Sequence, residues 1–351
     1  MKSNEPTNPA QGPRTRAQGP RPKDQGPWLR ADLHVHSYHS GQAGHMRFLQ
    51  ARDCYSEPEA VYAVAKARGM DLVTITDHDS VDGCLEFLDR HPDADDFFVS
   101  EEIECLVPGL PLKVHIGAYD INERIHREVQ PLRKSVYETV AYLRQQDVFF
   151  TLNHLFFFLK QQMSLDSYLR ALLPLFSAFE VRNGTMLEAH NLLIEEIVAG
   201  RRRAGCVAVG VGGSDAHTLA GVATTFTEAP GRNRAEFLQS LRAGRTSVGG
   251  QHGGTVRVMR EIYGVVGRYW ASLVGVGRQE LSWRRRAIGL GFSAISMPAE
   301  FIPALIAVIG KQDERRRIDQ FRHDWARAVI SLHTGPIDAR SEWPGAETLK
   351  A

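Results

Sequence analysis

The chain has 351 residues, with 42 Lys+Arg against 41 Asp+Glu, a length that accommodates one large domain with an accessory part or two ordinary domains. A formal charge of +1 supplies no global field, which excludes a polyanion-coating protein and leaves any nucleic-acid or membrane affinity to local patches. The four cysteines, Cys54, Cys84, Cys105 and Cys206, form no Cys-x-x-Cys pair, which excludes a zinc ribbon or disulfide scaffold and fits free thiols in a reducing cytoplasm.

Residues 1–27 repeat Gln-Gly-Pro, carry Arg and Lys and lack the apolar run of a secretory signal, so they read as a disordered tail. From 28 to 252 short apolar runs alternate with amphipathic stretches, which predicts strand–helix units in an α/β barrel or doubly wound sheet. Strands are predicted over 31–36, 71–76, 97–103, 114–119, 148–152, 178–181 and 207–211. Between the first two, Ser56-Glu-Pro-Glu59 supplies a cap, first-turn acids and a proline at a helix start, and Gly69 closes that helix. Helices are also predicted over 137–146, 165–175 and 186–204. Asn233 with Glu236 caps another, whose stripe continues through Phe237 and Leu241 to a stop at Gly244.

Past residue 252 the composition turns to Arg, Tyr, Trp and aliphatics, with Arg284-Arg285-Arg286, an apolar run over 287–310, then Arg315-Arg316-Arg317. This predicts a separate helical appendage over 253–335 and a flexible tail over 336–351. The 287–310 run approaches the length of a membrane span, yet Pro298, Glu300 and Pro303 are costly or disruptive in lipid, so no transmembrane span is expected. A buried or partner-binding helical hairpin is expected instead, with the flanking arginines leaving peripheral membrane contact open.

Chemistry concentrates at the predicted strand ends. In Asp32-Leu-His34-Val-His36 the two-residue period sends both imidazoles to one face, where one cation can be gripped by both. Thr76-Asp77-His78-Asp79 ends the second strand, with Asp77 or Asp79 available as a helix cap. Glu101-Glu102-Ile-Glu104 closes the third and Lys113-Val-His115 begins the fourth. Asn153-His154 and Glu180-Val-Arg182-Asn183 follow the next two, and Gly212-Gly213-Ser-Asp215-Ala-His217 follows the last, with glycines that admit a close backbone approach. These hard and borderline donors, with no cysteine among them, suit Zn²⁺, Mn²⁺ or Fe²⁺ and a hydrolytic multinuclear centre.

Taken in order, Asp-Leu-His-x-His-Ser, Thr-Asp-His, a Glu then a His, Asn-His and Ser-Asp-Ala-His resemble the polymerase and histidinol phosphatase (PHP) family over about residues 31–250. The resemblance implies a distorted seven-stranded (βα) barrel holding two or three divalent ions. It implies a first site of His34, His36, Glu102 and Asp215, with Glu102 bridging to a second of His115 and His154, and a third ion on His78 and His217. Many relatives complete the third site with an acid or histidine a few residues after His-x-His. Here Gly41 cannot ligate, so either His39 or His45 substitutes or the third ion is weak or absent. Glu102 is preferred over Glu101 and Glu104, although Glu104 shares its face.

The function implied is hydrolysis of a small phosphomonoester or nucleotide-type phosphate ester by a metal-activated hydroxide, with Asp215, His217 and His154 as catalytic residues. Arg182, Lys113 or Lys160 is expected to orient the phosphate. No stable nucleic-acid partner is expected. The alternatives are an amidohydrolase-like metal hydrolase, whose usual bridging lysine has no evident counterpart, and a non-catalytic metal-bound module that senses a ligand.

Overall fold

A computed structural model describes residues 26–41, 49–160, 163–277, 281–296 and 301–332. Nine strands and ten α-helices are assigned among them: β1 (Trp28–Ala31), α1 (Pro58–Ala67), β2 (Val73–Ile75), α2 (Asp82–Arg90), β3 (Phe97–Leu106), β4 (Lys113–Tyr119), α3 (Glu123–Val129), α4 (Val136–Gln145), β5 (Phe149–Leu152), α5 (Leu165–Leu172), β6 (Ala178–Asn183), α6 (Glu188–Arg203), β7 (Val209–Gly213), β8 (Thr225–Pro230), α7 (Arg234–Arg242), β9 (Ser247–Gly250), α8 (Thr255–Leu273), α9 (Trp283–Ser296) and α10 (Ile302–Leu332).

The helix starts follow from capping chemistry. The Asn233 side chain accepts from the Glu236 amide at 3.0 Å, and Ser135 and Ser164 cap α4 and α5 in the same way. Pro58 opens α1, where its missing N–H costs nothing. The expected cap from Asp77 or Asp79 is not made. The residue before α2 is Val81, and both carboxylates are engaged elsewhere, Asp77 with Ser37 and Ser40 and Asp79 with the Glu104 amide.

Six strands form one sheet in the order β2-β3-β4-β5-β6-β7. All neighbours are parallel except those of β4, which runs antiparallel to both β3 and β5. A second sheet, β1-β8-β9, is antiparallel. The first expected strand, 31–36, is therefore divided: Ala31 ends the ladder with β8, and the extended chain beyond it is stitched to both edges of the larger sheet. Thr76 N donates to Val35 O at 2.8 Å on one side, and His36 N donates to Ala216 O at 3.0 Å on the other. That stitching curls the six-stranded sheet around the His-x-His segment.

Phe98, Tyr119, Phe149 and Val209 cluster with Phe237, Leu238 and Leu241 of α7. They lie at the starts of parallel strands and at the end of the reversed β4, so this plug occupies the end of the curl opposite the histidines. Each such fully buried large side chain contributes roughly 1.5–3 kcal/mol. A larger cluster lies between the sheet and α3–α6, and α10 joins it through Ile318 and Phe321. The region past residue 252 thus shares packing with the helices that cover the six-stranded sheet. Glu314 accepts from the Leu187 amide and pairs with His190, and Lys311 donates to Thr185 O.

Candidate metal centre

The alternation along 32–36 sends His34 and His36 inward and Leu33 and Val35 outward, as period two requires. Each imidazole is held by its far nitrogen. His34 Nδ1 meets Glu180 Oε1 at 2.8 Å and His36 Nδ1 meets Ser40 Oγ at 2.9 Å, which turns both Nε2 atoms to a common space. Gly213 makes this approach feasible, because a Cβ there would stand 2.3 Å from His34 Cβ. Asp215 follows with φ 51, and Asn183 and Thr185 fix its Oδ2 at 3.1 and 3.0 Å. Its Oδ1 is left 3.5 Å from His34 Nε2 and 3.3 Å from His36 Nε2.

Glu102 is the hub. Its Oε1 lies 3.1 Å from His34 Nε2, 3.3 Å from His115 Nδ1 and 3.1 Å from His154 Nε2, and its Oε2 lies 3.0 Å from His78 Nδ1. His115 reaches it because β4 is reversed: the start of that strand stands at the rim where its neighbours end, with Glu104 registered opposite His115. Among the described residues, His34–His36–Glu102, His34–His154–Asp215, His78–Glu102–His115 and His36–His78–His217 each bring their donor atoms within 4.8 Å of one another.

Several of these atoms, though fully buried and close to opposite charge, have no hydrogen-bond partner: His34 Nε2, His36 Nε2, Glu102 Oε2 and His115 Nδ1. Buried polar atoms are rarely left so, and a set of nitrogen and carboxylate lone pairs facing one small volume is the donor arrangement that divalent cations satisfy. The electrostatics agree. Burial opposes charge on Glu102 and Asp215, yet the surrounding imidazoles hold both carboxyls well below their ordinary range. Burial, with His217 and His78 beside it, pushes His36 down to about 3, where it is a neutral donor at any physiological pH.

Residues 209–246, which run from the start of β7 through α7, match the PHP-associated family model. Over that segment the chain is similar to the PHP family. An uncharacterised protein of Methanocaldococcus jannaschii is 40% identical over 58 residues, which is 16% of this chain and 33% of that protein, so the chain spans about a third of the curated relative it matches. Among solved structures, the chain is similar to a two-domain protein from Bacteroides vulgatus containing a predicted PHP-like metal-dependent phosphoesterase, with TM-score 0.45 and 18% identity over 73% of this chain and 75% of that one. It is also similar to PsfC from Pseudomonas syringae, with TM-score 0.44 and 18% identity over 70% of this chain and 99% of that one.

The structure brings all eight residues expected to bind metal by the PHP resemblance, His34, His36, His78, Glu102, His115, His154, Asp215 and His217, to this one place. Glu101 points away to His126, at 2.8 Å. Of the two residues that could complete a third site, His39 pairs with Glu86 at 2.9 Å, and His45 lies outside the described residues. The Asp53 carboxylate stands beside His78 and His217, 3.2 Å from His217 Nε2 and 3.5 Å from His78 Nε2.

Arg182 is not among the gathered groups. A bulge in the β6–β7 pairing between Glu180 and Arg182 reverses the alternation, so the guanidinium faces Glu195 and Val248 O while Glu180 and Asn183 face the histidines. Lys113 stands at the edge, bonded to Glu104 and 5.0 Å from the Phe158 ring centroid. Lys160 is exposed.

Proposed function

We propose that this chain is a metal-dependent hydrolase of phosphate esters, acting on a small phosphomonoester or nucleotide-type substrate through a metal-activated hydroxide. The observation that carries the reading is the set of buried imidazole nitrogens and the Glu102 oxygen that face one volume without partners. The donor set fits two or three Zn, Mn or Fe ions: His34, His36, Glu102 and Asp215 for the first, Glu102, His115 and His154 for the second, and His78, His217 and Asp53 for the third. Bound there, such ions would lower the pKa of a water and offset charge on a phosphoryl group.

The chain's own residues supply orientation. Glu180, Ser40, Asn183 and Thr185 fix the rings and carboxylates from behind, so that little reorganisation is needed when substrate arrives. Asp215, His217 and His154 are the groups assigned to proton movement at the attacking and leaving oxygens. Lys113, at the rim, is assigned to the phosphate. Arg182, held by Glu195, is not. We read the 32–36 segment as the seventh stave of a distorted (βα) barrel.

The test is phosphate release from phosphomonoesters, phosphodiesters and nucleoside bisphosphates, assayed beside amides, on protein of known metal content. His34→Ala and Asp215→Ala are expected to abolish turnover with circular dichroism near that of the parent, and a chelator is expected to do the same reversibly. Purified protein without a tightly held divalent ion, or full activity in Asp215→Ala, would discard the reading.

A further inference from the structure

The helices past residue 252 leave one face uncovered. The residues just before α9 rest on α8 through Leu281, which clusters with Tyr269 and Leu273, and α9 itself does so through Gly289, where a Cβ would stand 2.5 Å from a Leu273 methyl. Away from that contact its large apolar side chains are open to solvent: Trp283 is 74% exposed, Ile288 59% and Ile295 83%. α10 is divided in character. From Lys311 onward it docks on the barrel, whereas Phe301 just before it is 63% exposed and Ile306 and Ile309 are 59% and 55% exposed. Exposed large aliphatics are common singly, but a run of this density marks a surface with an apolar counterpart.

Charge narrows the counterpart. Residues 281–310 contain Arg284, Arg285 and Arg286 against one acid, Glu300. The arginines stand in the first turn of α9, which holds no acid, at the end of the helix dipole that already carries partial positive charge. Within the molecule that placement is unfavourable, and a negatively charged surface alongside reverses its sign. A second copy of this chain does not supply one, because a two-fold axis pairs the patch with itself, three arginines against one acid in each half.

We propose that α9 and the first turns of α10 form a docking face for an anionic lipid bilayer, lying within its interface. Tryptophan beside arginine, with aliphatics around them, is the composition of interfacial helices. No described helix is long and apolar enough to cross a membrane. The inference is independent of the catalytic reading and its test uses no activity.

The full chain is mixed with phosphatidylcholine vesicles, with and without phosphatidylserine, and the bound fraction is measured by flotation. Binding is expected to the phosphatidylserine vesicles and to weaken with salt. Each arginine near such a surface strengthens binding roughly five-fold, so Arg284→Gln with Arg285→Gln should weaken it more than about ten-fold. A triple variant, Trp283→Ser with Ile295→Ser and Ile306→Ser, should abolish it, whereas Val207→Ser, which alters a 69% exposed apolar residue after α6, should not. All these side chains are exposed, so the fold is expected to hold by circular dichroism. Absence of binding to phosphatidylserine vesicles, unchanged binding by the triple variant, or a dimer in light scattering that the triple variant dissociates would overturn the proposal.

Discussion

Replacing Glu314 by Gln isolates the charge that fastens α10 to the start of α6. The carboxylate is 5% exposed, accepts from the Leu187 amide at 2.9 Å, meets His190 Nδ1 at 3.0 Å and is bonded by Lys311. Burial alone would raise its pKa, but the His190 hydrogen bond and the charge of Lys311 bring it from 4.5 down to about 2. At about 1.4 kcal/mol for each tenfold change, that depression is worth roughly 3 kcal/mol. Because the folded pKa is the lower one, the contribution is fully present above about pH 4.5 and is lost as pH falls towards 2. Gln keeps the shape and loses the charge. The variant should therefore be roughly 2–3 kcal/mol less stable in urea at neutral pH, with faster amide exchange over 311–325, and the deficit should shrink as the solution is acidified from about pH 4.5. A Gln variant as stable as the parent at neutral pH, or a deficit that grows in acid, would refute the role given to this pair.

Gly213→Ala forces a methyl to within 2.3 Å of His34 Cβ, and overpacking of that kind typically costs about 1–3 kcal/mol; denaturant midpoints and metal content should both fall, and an unchanged metal content would show that the close approach is dispensable. Asp53→Asn removes the only carboxylate found between His78 and His217 among the described residues. It should weaken one bound ion by about 10–100-fold while leaving the others, as read by titration calorimetry; equal affinity at every site would remove Asp53 from the third.

Much of the centre was legible because it obeys local periodicity. His34 and His36 share a face by strand alternation alone, whereas Glu102 was preferred over Glu101 only for its place before Ile103, since alternation puts the two on opposite faces without saying which face meets the histidines. Asp53 was not legible. It is seventeen residues past His36, and only the path of the intervening loop brings it to His78 and His217. Arg182 misled for a related reason: simple alternation puts it beside Glu180, and one extra residue in the β6–β7 ladder undoes that. The reversal of β4 was also hidden, since an apolar strand reads the same in either direction. So were β8 and β9, short and pinned by long-range pairing to β1. The division of α10 into a docked and an open half depends on contacts with residues more than a hundred positions away, which no window along the chain can reveal.

Arg317 Nη1 reaches three backbone carbonyls, Phe156, Phe157 and Leu159, in the turn that immediately follows His154. A chain shortened ahead of Lys311 would strip those acceptors of their donor and release the Thr185 carbonyl and Leu187 amide as well. The histidine-lined end of the curled sheet is therefore braced by α10, and trimming that helix would loosen the turn that carries the imidazole of His154 before any substitution touched it.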